Sequence, residues 1–325
     1  MRILAVDDDR NNLKMIAFLL REEGYEVITT DNGKEALELV DSQHPDLVIL
    51  DVMMPQIDGF EVCRRIRQTM DVPIIILSAK GEQNPQLAWK VNIEGLINVL
   101  EVGRERGLSR IFVPSSIAVF GPETPRNPAP QETVLRPTTM YGVTKVTGEL
   151  LGDYYVSKYG LDVRGVRYPG IISSETLPGG GTTDYAVEVF YEALKTEHYD
   201  FFVRADTVLP MMYMPDCIRA TIELMEADFD RLRHHCDFNL AGMSFSAEEL
   251  AVEIKKHIPD FTYNFRPDFR QEIADSWPKR IDDTPAREEW GWKPKYDLSS
   301  MVKDMLDRLR RKLERQDGGK LKGRS

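Results

Sequence analysis

Two groups of side chains in this sequence have the types and spacing to do chemistry. Tyr141 and Lys145 stand four residues apart in Tyr141-Gly-Val-Thr-Lys145. On a helix that spacing puts both on one face, where an ammonium beside a phenol favours the ionised form. Such a phenol can take the proton of a substrate hydroxyl as hydride leaves the adjacent carbon. Ser116, in the upstream Ser115-Ser116 pair, can hydrogen-bond the developing carbonyl oxygen. The second group is acidic. Asp7 and Asp8 follow one apolar run and Asp51 ends another, so a parallel sheet would gather all three at the carboxyl ends of its strands. Three carboxylates together call for a hard cation, and Mg²⁺ suits one or two carboxylates plus water. The simpler alternative is that Asp7, Asp8 and Asp9 cap the helix that follows.

The elements that must position these groups are legible. Ile3 to Val6 is an apolar strand, followed by a helix with Leu13, Ile16, Ala17, Leu19 and Leu20 on its periodic face and Gly24 at its end. Glu26 to Thr29 and Asp46 to Leu50 read as strands, with helices over Gly33 to Val40 and Phe60 to Arg67 between and after them. Val72 to Pro85 opens as a short β-branched run buried on both faces and closes as a polar loop. The order is β-α-β-α-β-α-β with short connections, an α/β pattern. Leu87 to Arg106 then reads as one long amphipathic helix, and Arg110 to Val113 as another strand.

Asp7, Asp8, Asp51 and the run Met53-Met-Pro55 followed by Asp58-Gly59 resemble the response-regulator receiver family. That resemblance implies a flavodoxin-like sheet, Asp51 as phosphoacceptor, Asp7, Asp8, Asp51 and the Met53 carbonyl as Mg²⁺ ligands, Ser78 as the switch hydroxyl and a histidine kinase as partner. It stops short of the family's last strand, where a Lys-Pro pair is expected and Val113-Pro114 stands instead.

The rest resembles the extended short-chain dehydrogenases, the NAD-dependent epimerase/dehydratase family. The resemblance rests on Ser115-Ser116, Tyr141 to Lys145, Arg167-Tyr-Pro-Gly170 and Gly179-Gly-Gly-Thr-Thr-Asp-Tyr-Ala186. Leu209-Pro-Met-Met-Tyr-Met-Pro-Asp216, Ala274-Asp-Ser-Trp-Pro278 and Asp282 to Trp292 look like its L-threonine 3-dehydrogenase branch. The resemblance implies a Rossmann-like sheet with a small carboxyl-terminal substrate lobe and a homodimer. It implies Ser116, Tyr141 and Lys145 as catalytic groups, with Asn92, Tyr168 and Pro169 near NAD. It also implies Thr182, Thr183, Pro210 and Trp277 near L-threonine, although Trp277 reads equally as a packed aromatic.

The chain therefore reads as a chimera, with a crossover inside Leu77 to Glu82, where Leu-Ser-Ala-Lys-Gly-Glu fits either family. The expected divisions are 1–80, 81–315 and a tail over 316–325, and the expected fold is one doubly wound parallel sheet continuing from the flavodoxin-like half into the Rossmann-like half. The join replaces the glycine-rich turn that a dinucleotide's pyrophosphate needs with Asp7-Asp8-Asp9-Arg10. Threonine dehydrogenase activity is accordingly expected to be weak or absent. A Mg²⁺-binding phosphoacceptor module and an inactive scaffold are the alternatives.

Composition excludes other classes. A net charge of −11 argues against nucleic-acid or membrane-surface binding. No long apolar window or leader is visible, so a cytoplasmic location is expected. Three scattered cysteines make no disulfide framework. His234-His235-Cys236 reads as a surface turn, because no second ligand pair stands at metal spacing.

Overall fold

The computed structural model describes residues 1–22, 24–51, 54, 55, 57, 59–77, 84–175 and 178–321. Met53 and Ser78, and most of the expected crossover, lie outside the described residues. The chain divides into two compact units, Met1–Val91 and Asn92–Ser325.

In the first unit β1 (Arg2–Val6), α1 (Arg10–Glu22), β2 (Glu26–Thr30), α2 (Gly33–Gln43), β3 (Leu47–Asp51), α3 (Gly59–Thr69) and β4 (Ile74–Leu77) precede a short α4 (Pro85–Trp89). The sheet runs β2-β1-β3-β4, all parallel. This is the flavodoxin-like order, with β3 beside β4; a dinucleotide-binding half would put β1 there. β1 is buried on both faces because its side chains serve two layers. Leu4 and Val6 pack with Ala36, Val40, Val62 and Ile66 of α2 and α3, while Ala5 packs with Leu13 and Ala17 of α1. Asn32 caps α2 by accepting from the Glu35 N–H at 2.8 Å. Gly24, at φ 82°, takes the left-handed turn that ends α1.

The second unit contains α5 (Gly95–Arg106), β5 (Ile111–Phe112), β6 (Ser115–Ser116), α6 (Met140–Tyr159), β7 (Val163–Arg164), β8 (Val166–Tyr168) and β9 (Gly170–Ile172). α7 (Tyr185–Lys195), β10 (His198–Phe201), β11 (Val208–Tyr213), α8 (Met214–Glu226), β12 (Phe238–Asn239) and β13 (Met243–Ser246) follow. The chain closes with α9 (Ala247–His257), β14 (Thr262–Phe265), α10 (Arg270–Ser276), α11 (Thr284–Trp290) and α12 (Leu298–Leu321). Short ladders order the strands as β5-β7, β12-β8-β6, β13-β11-β9 and β10-β14. The main core lies in the carboxyl-terminal part, where Val189, Phe190, Leu250, Ile254, Met305 and Leu309 lock α7, α9 and α12 together.

Leu87 to Arg106 is not the single α-helix expected. A π-helical turn over Lys90–Glu94 separates α4 from α5, and within it the Asn92 amide donates to Thr144 Oγ1 at 3.0 Å. A side-chain bond to a distant helix is invisible to periodicity. No helix among the described residues is long and apolar enough to cross a membrane.

Candidate active site

Ser116 ends β6 and caps a 3-10 turn, Ile117–Val119, by accepting from the Ala118 N–H at 3.2 Å. α6 begins beside that turn, with Thr139 accepting from the Gly142 N–H at 3.0 Å. The approach is possible because position 142 is glycine. A Cβ there would stand 2.2 Å from the Ala118 carbonyl oxygen, a distance no side chain tolerates. The contact brings the Tyr141 phenol into a hydrogen bond with Ser116. Lys145 lies on the same face, with Nζ 5.4 Å from the Tyr141 ring centroid, and donates to the Pro114 carbonyl at 2.7 Å. Serine, tyrosine and lysine thus converge, as their spacing anticipates.

Their electrostatics depart from the expectation of a lowered phenol pKa. Burial pushes Tyr141 above the ordinary value and the Ser116 hydrogen bond pulls it back only partly. Burial lowers Lys145, opposed by the Glu149 carboxylate one turn on. The Lys145 ammonium is spent on a backbone carbonyl, so it orients the pair more than it acidifies the phenol.

Glu149 itself was not singled out by sequence. It accepts from both Arg167 Nε at 3.0 Å and Nη2 at 2.8 Å, and the Ser115 hydroxyl also donates to it. Burial pushes its carboxyl upward and Arg167 opposes this. The two-point contact from an always-charged guanidinium favours the carboxylate form against that burial. The signal was present: Tyr141, Lys145 and Glu149 continue one four-residue spacing.

The other expected residues are placed as follows. The Asn92 side chain bonds Thr144, whose hydroxyl donates to the Tyr141 carbonyl at 2.8 Å, so it touches the helix that carries Tyr141 and Lys145. The Tyr168 hydroxyl bonds Thr221, and Pro169 is buried beside it. Half-buried Thr182 and Thr183 precede α7. A Cβ on Gly170 would meet Thr183 and Met211, so Thr183 packs against the β9–β11 ladder that carries Pro210. Trp277 caps α10 and packs against both the main core and the cluster containing Ile117 and Val119, which joins it to the turn after Ser116.

In the first unit Asp7, Asp8 and Asp51 each offer an oxygen, and these lie within 4.8 Å of one another. Asp7 is buried and accepts from the Asp9 N–H at 2.8 Å; burial, then its acidic neighbours, raise its pKa. Asp7 Oδ1 thus also serves a backbone N–H just before α1, as the capping alternative expects, so the two uses of this carboxylate coexist. Met53, expected as a further Mg²⁺ ligand, lies outside the described residues.

Comparisons with known proteins fit this two-part geometry. A response regulator receiver domain matches residues 3–98 and a GDP-mannose 4,6 dehydratase model matches residues 79–171. An epimerase/dehydratase of Staphylococcus haemolyticus is 47% identical over 82% of this chain and 82% of its own length. The chain belongs to the epimerase/dehydratase family that includes the L-threonine 3-dehydrogenases. Within that family, mitochondrial L-threonine 3-dehydrogenase of Bos taurus is 54% identical over 71% of this chain, which spans 62% of the bovine protein's length. The GalE-like L-threonine dehydrogenase of Cupriavidus necator, in its apo form, superposes with a TM-score of 0.69 at 44% identity, over 94% of this chain and 99% of its own. An epimerase/dehydratase-family catalytic region and a receiver domain are thus both present.

Proposed function

We propose that the second unit is the catalytic part of an L-threonine 3-dehydrogenase and that the whole chain turns over weakly or not at all. The observation that carries the reading is the convergence of Ser116, Tyr141 and Lys145 where α6 meets the turn after β6, with Trp277 packed against that same turn. In this reading Thr182, Thr183, Pro210 and Trp277 hold the amino acid. Ser116 hydrogen-bonds the substrate oxygen, and Tyr141 accepts the hydroxyl proton, which a raised phenol pKa confines to the higher end of the working pH range. Asn92, Tyr168 and Pro169 are assigned to the NAD side.

The first βα turn does not fit a dinucleotide. Residues 7–9 are three aspartates, and Asp7 is buried, so a pyrophosphate would meet like charge. Each such pair at 4 Å costs about 1 kcal/mol in water and about 4 kcal/mol at an effective dielectric near 20. NAD⁺ titration of the full chain, with and without Mg²⁺, tests the reading, together with threonine-dependent NADH formation. Binding at family-like affinity, with turnover abolished in Tyr141→Phe, would show that the acidic turn does not matter.

A second reading is favoured by the Asp7, Asp8 and Asp51 cluster: a Mg²⁺-binding unit that accepts a phosphoryl group on Asp51 from a histidine kinase, with no relay onward because Val113 stands at the lysine position. A homodimer is assigned to α5 and α6, which leave Val99, Val102, Leu150 and Tyr154 exposed. The cytoplasm is the assigned location.

A further inference from the structure

We propose that Glu132, His234 and Asp237 form a binding site for a divalent transition metal of the zinc class. The three come from separate stretches, the loop after buried Gln131 and the segment entering β12, and their ligand atoms all lie within 4.8 Å of one another. His234 Nδ1 is 3.6 Å from Glu132 Oε1 and 3.5 Å from Asp237 Oδ1. Zinc bonds of about 2.0 to 2.2 Å imply tetrahedral ligand-to-ligand edges of about 3.3 to 3.6 Å. A cation could enter this edge geometry with little rearrangement, and one neutral imidazole with two carboxylates balances a dication.

An independent observation concerns the far side of the ring. His234 Nε2 faces Glu289 Oε1 at 3.9 Å. Glu289 is buried; its Oε2 accepts from the Arg233 and His234 N–H groups at 2.7 and 3.2 Å, whereas Oε1 accepts no hydrogen bond. The Arg233 guanidinium, largely exposed, approaches Oε1 to 3.3 Å without making one. As the ring stands, Nδ1 hydrogen-bonds Asp237 and the buried Glu289 carboxylate lies beyond hydrogen-bond reach of Nε2. A cation that takes the place of the Nδ1 proton would leave the remaining proton on Nε2, on the side of that carboxylate, where metal-bound histidines use an outer partner. Asp237 is supported likewise. Its Oδ2 accepts from Gln131 Nε2 at 3.3 Å and lies 3.7 Å from Arg167, which leaves Oδ1 for the cation.

The neighbours do not belong to the set. His235 stacks on Phe229 at 4.8 Å, and the buried Cys236 thiol points to the Val163 carbonyl with its pKa pushed far up by burial. An imidazole among carboxylates selects zinc, cobalt or nickel over magnesium. Glu132, far away in sequence, supplies the ligand that the spacing of 234–236 does not show.

The test uses the full chain, stripped with chelator and titrated with Co²⁺ in excess Mg²⁺, which occupies hard oxygen sites in the first unit. The expected result is one equivalent giving the intense visible band of four-coordinate cobalt, displaced by Zn²⁺, with a higher unfolding midpoint. Glu132→Gln, at an exposed position that the fold does not need, and His234→Asn should each weaken Co²⁺ at least about tenfold. His235→Asn should bind as the parent does. Absence of the band, a weak octahedral spectrum, or an intense band unchanged in Glu132→Gln and His234→Asn overturns the proposal.

Discussion

The acidic cluster of the first unit and the serine-tyrosine-lysine group of the second are both built at strand ends, yet they are held by opposite means. Asp7, Asp8 and Asp51 are brought together by the parallel order β2-β1-β3, which aligns strand ends whatever the side chains are. Their mutual repulsion is a cost that the Asp9 N–H on Asp7 offsets in part and that a cation would relieve further. Ser116, Tyr141 and Lys145 are held by local contacts: the Thr139 cap, the bare Gly142, the Pro114 carbonyl and the buried Glu149–Arg167 pair behind them. A site made of local contacts travels with its segment and survives a change of neighbouring sequence. A dinucleotide site, which needs a particular first turn and strand order, does not.

The largest effect that would sharpen this contrast is at the ion pair. Arg167→Met leaves Glu149 buried without its partner and should destabilise the second unit by about 3 to 5 kcal/mol in urea unfolding. A loss under about 1 kcal/mol would mean that the pair does not support the site. Next comes Gly142→Ala. Its methyl meets the Ala118 carbonyl, so about 1 to 3 kcal/mol should be lost, and the ¹³C resonance of a labelled Tyr141 ring carbon should shift as the Ser116 bond breaks; an unmoved resonance would refute the backbone gauge.

In the first unit the same kind of change should act in reverse. The Asp7 pKa is raised, so the folded state holds that proton more tightly than the unfolded chain, and its contribution to stability falls as pH rises through the folded value. Asp7→Asn should therefore raise the midpoint at neutral pH without Mg²⁺ and abolish the increment that Mg²⁺ gives the parent. A lower midpoint without Mg²⁺ would overturn the view that charge on Asp7 costs stability there. The smallest effect concerns His234, whose pKa is raised chiefly by Asp237. Its stabilisation is complete below the unfolded value of about 6.5 and lost as pH rises through the higher folded value. In chelator, His234→Asn should flatten the fall in stability above that pH, and an unchanged slope would remove His234 from the balance.

The first unit was legible almost to the residue because each of its signals is local: Ile3 to Val6 buried on both faces, Gly24 ending α1, strands closing on aspartates. Tyr141 and Lys145 were legible for the same reason, being one helical turn apart. What escaped depends on contacts between distant segments. The turn at Lys90–Glu94 carries a bond from Asn92 to Thr144, the Tyr141 phenol gains its Ser116 partner only where α6 meets the turn after β6, and Glu132 meets His234 only in the folded chain. Apolar periodicity reads the face that a helix buries, and it contains nothing about which polar atom waits on the other side.

The contact at Gly142 has a consequence for heat. Two backbones touch there, so the gap between Tyr141 and Ser116 is set by covalent dimensions and peptide planes, which hardly soften on warming. Rotamers elsewhere can begin to hop as temperature rises, and the spacing of this pair stays constant until the first turn of α6 itself unwinds. The hydroxyl-handling chemistry should then fail abruptly, over the same few degrees as the helix, without a gradual decline before it.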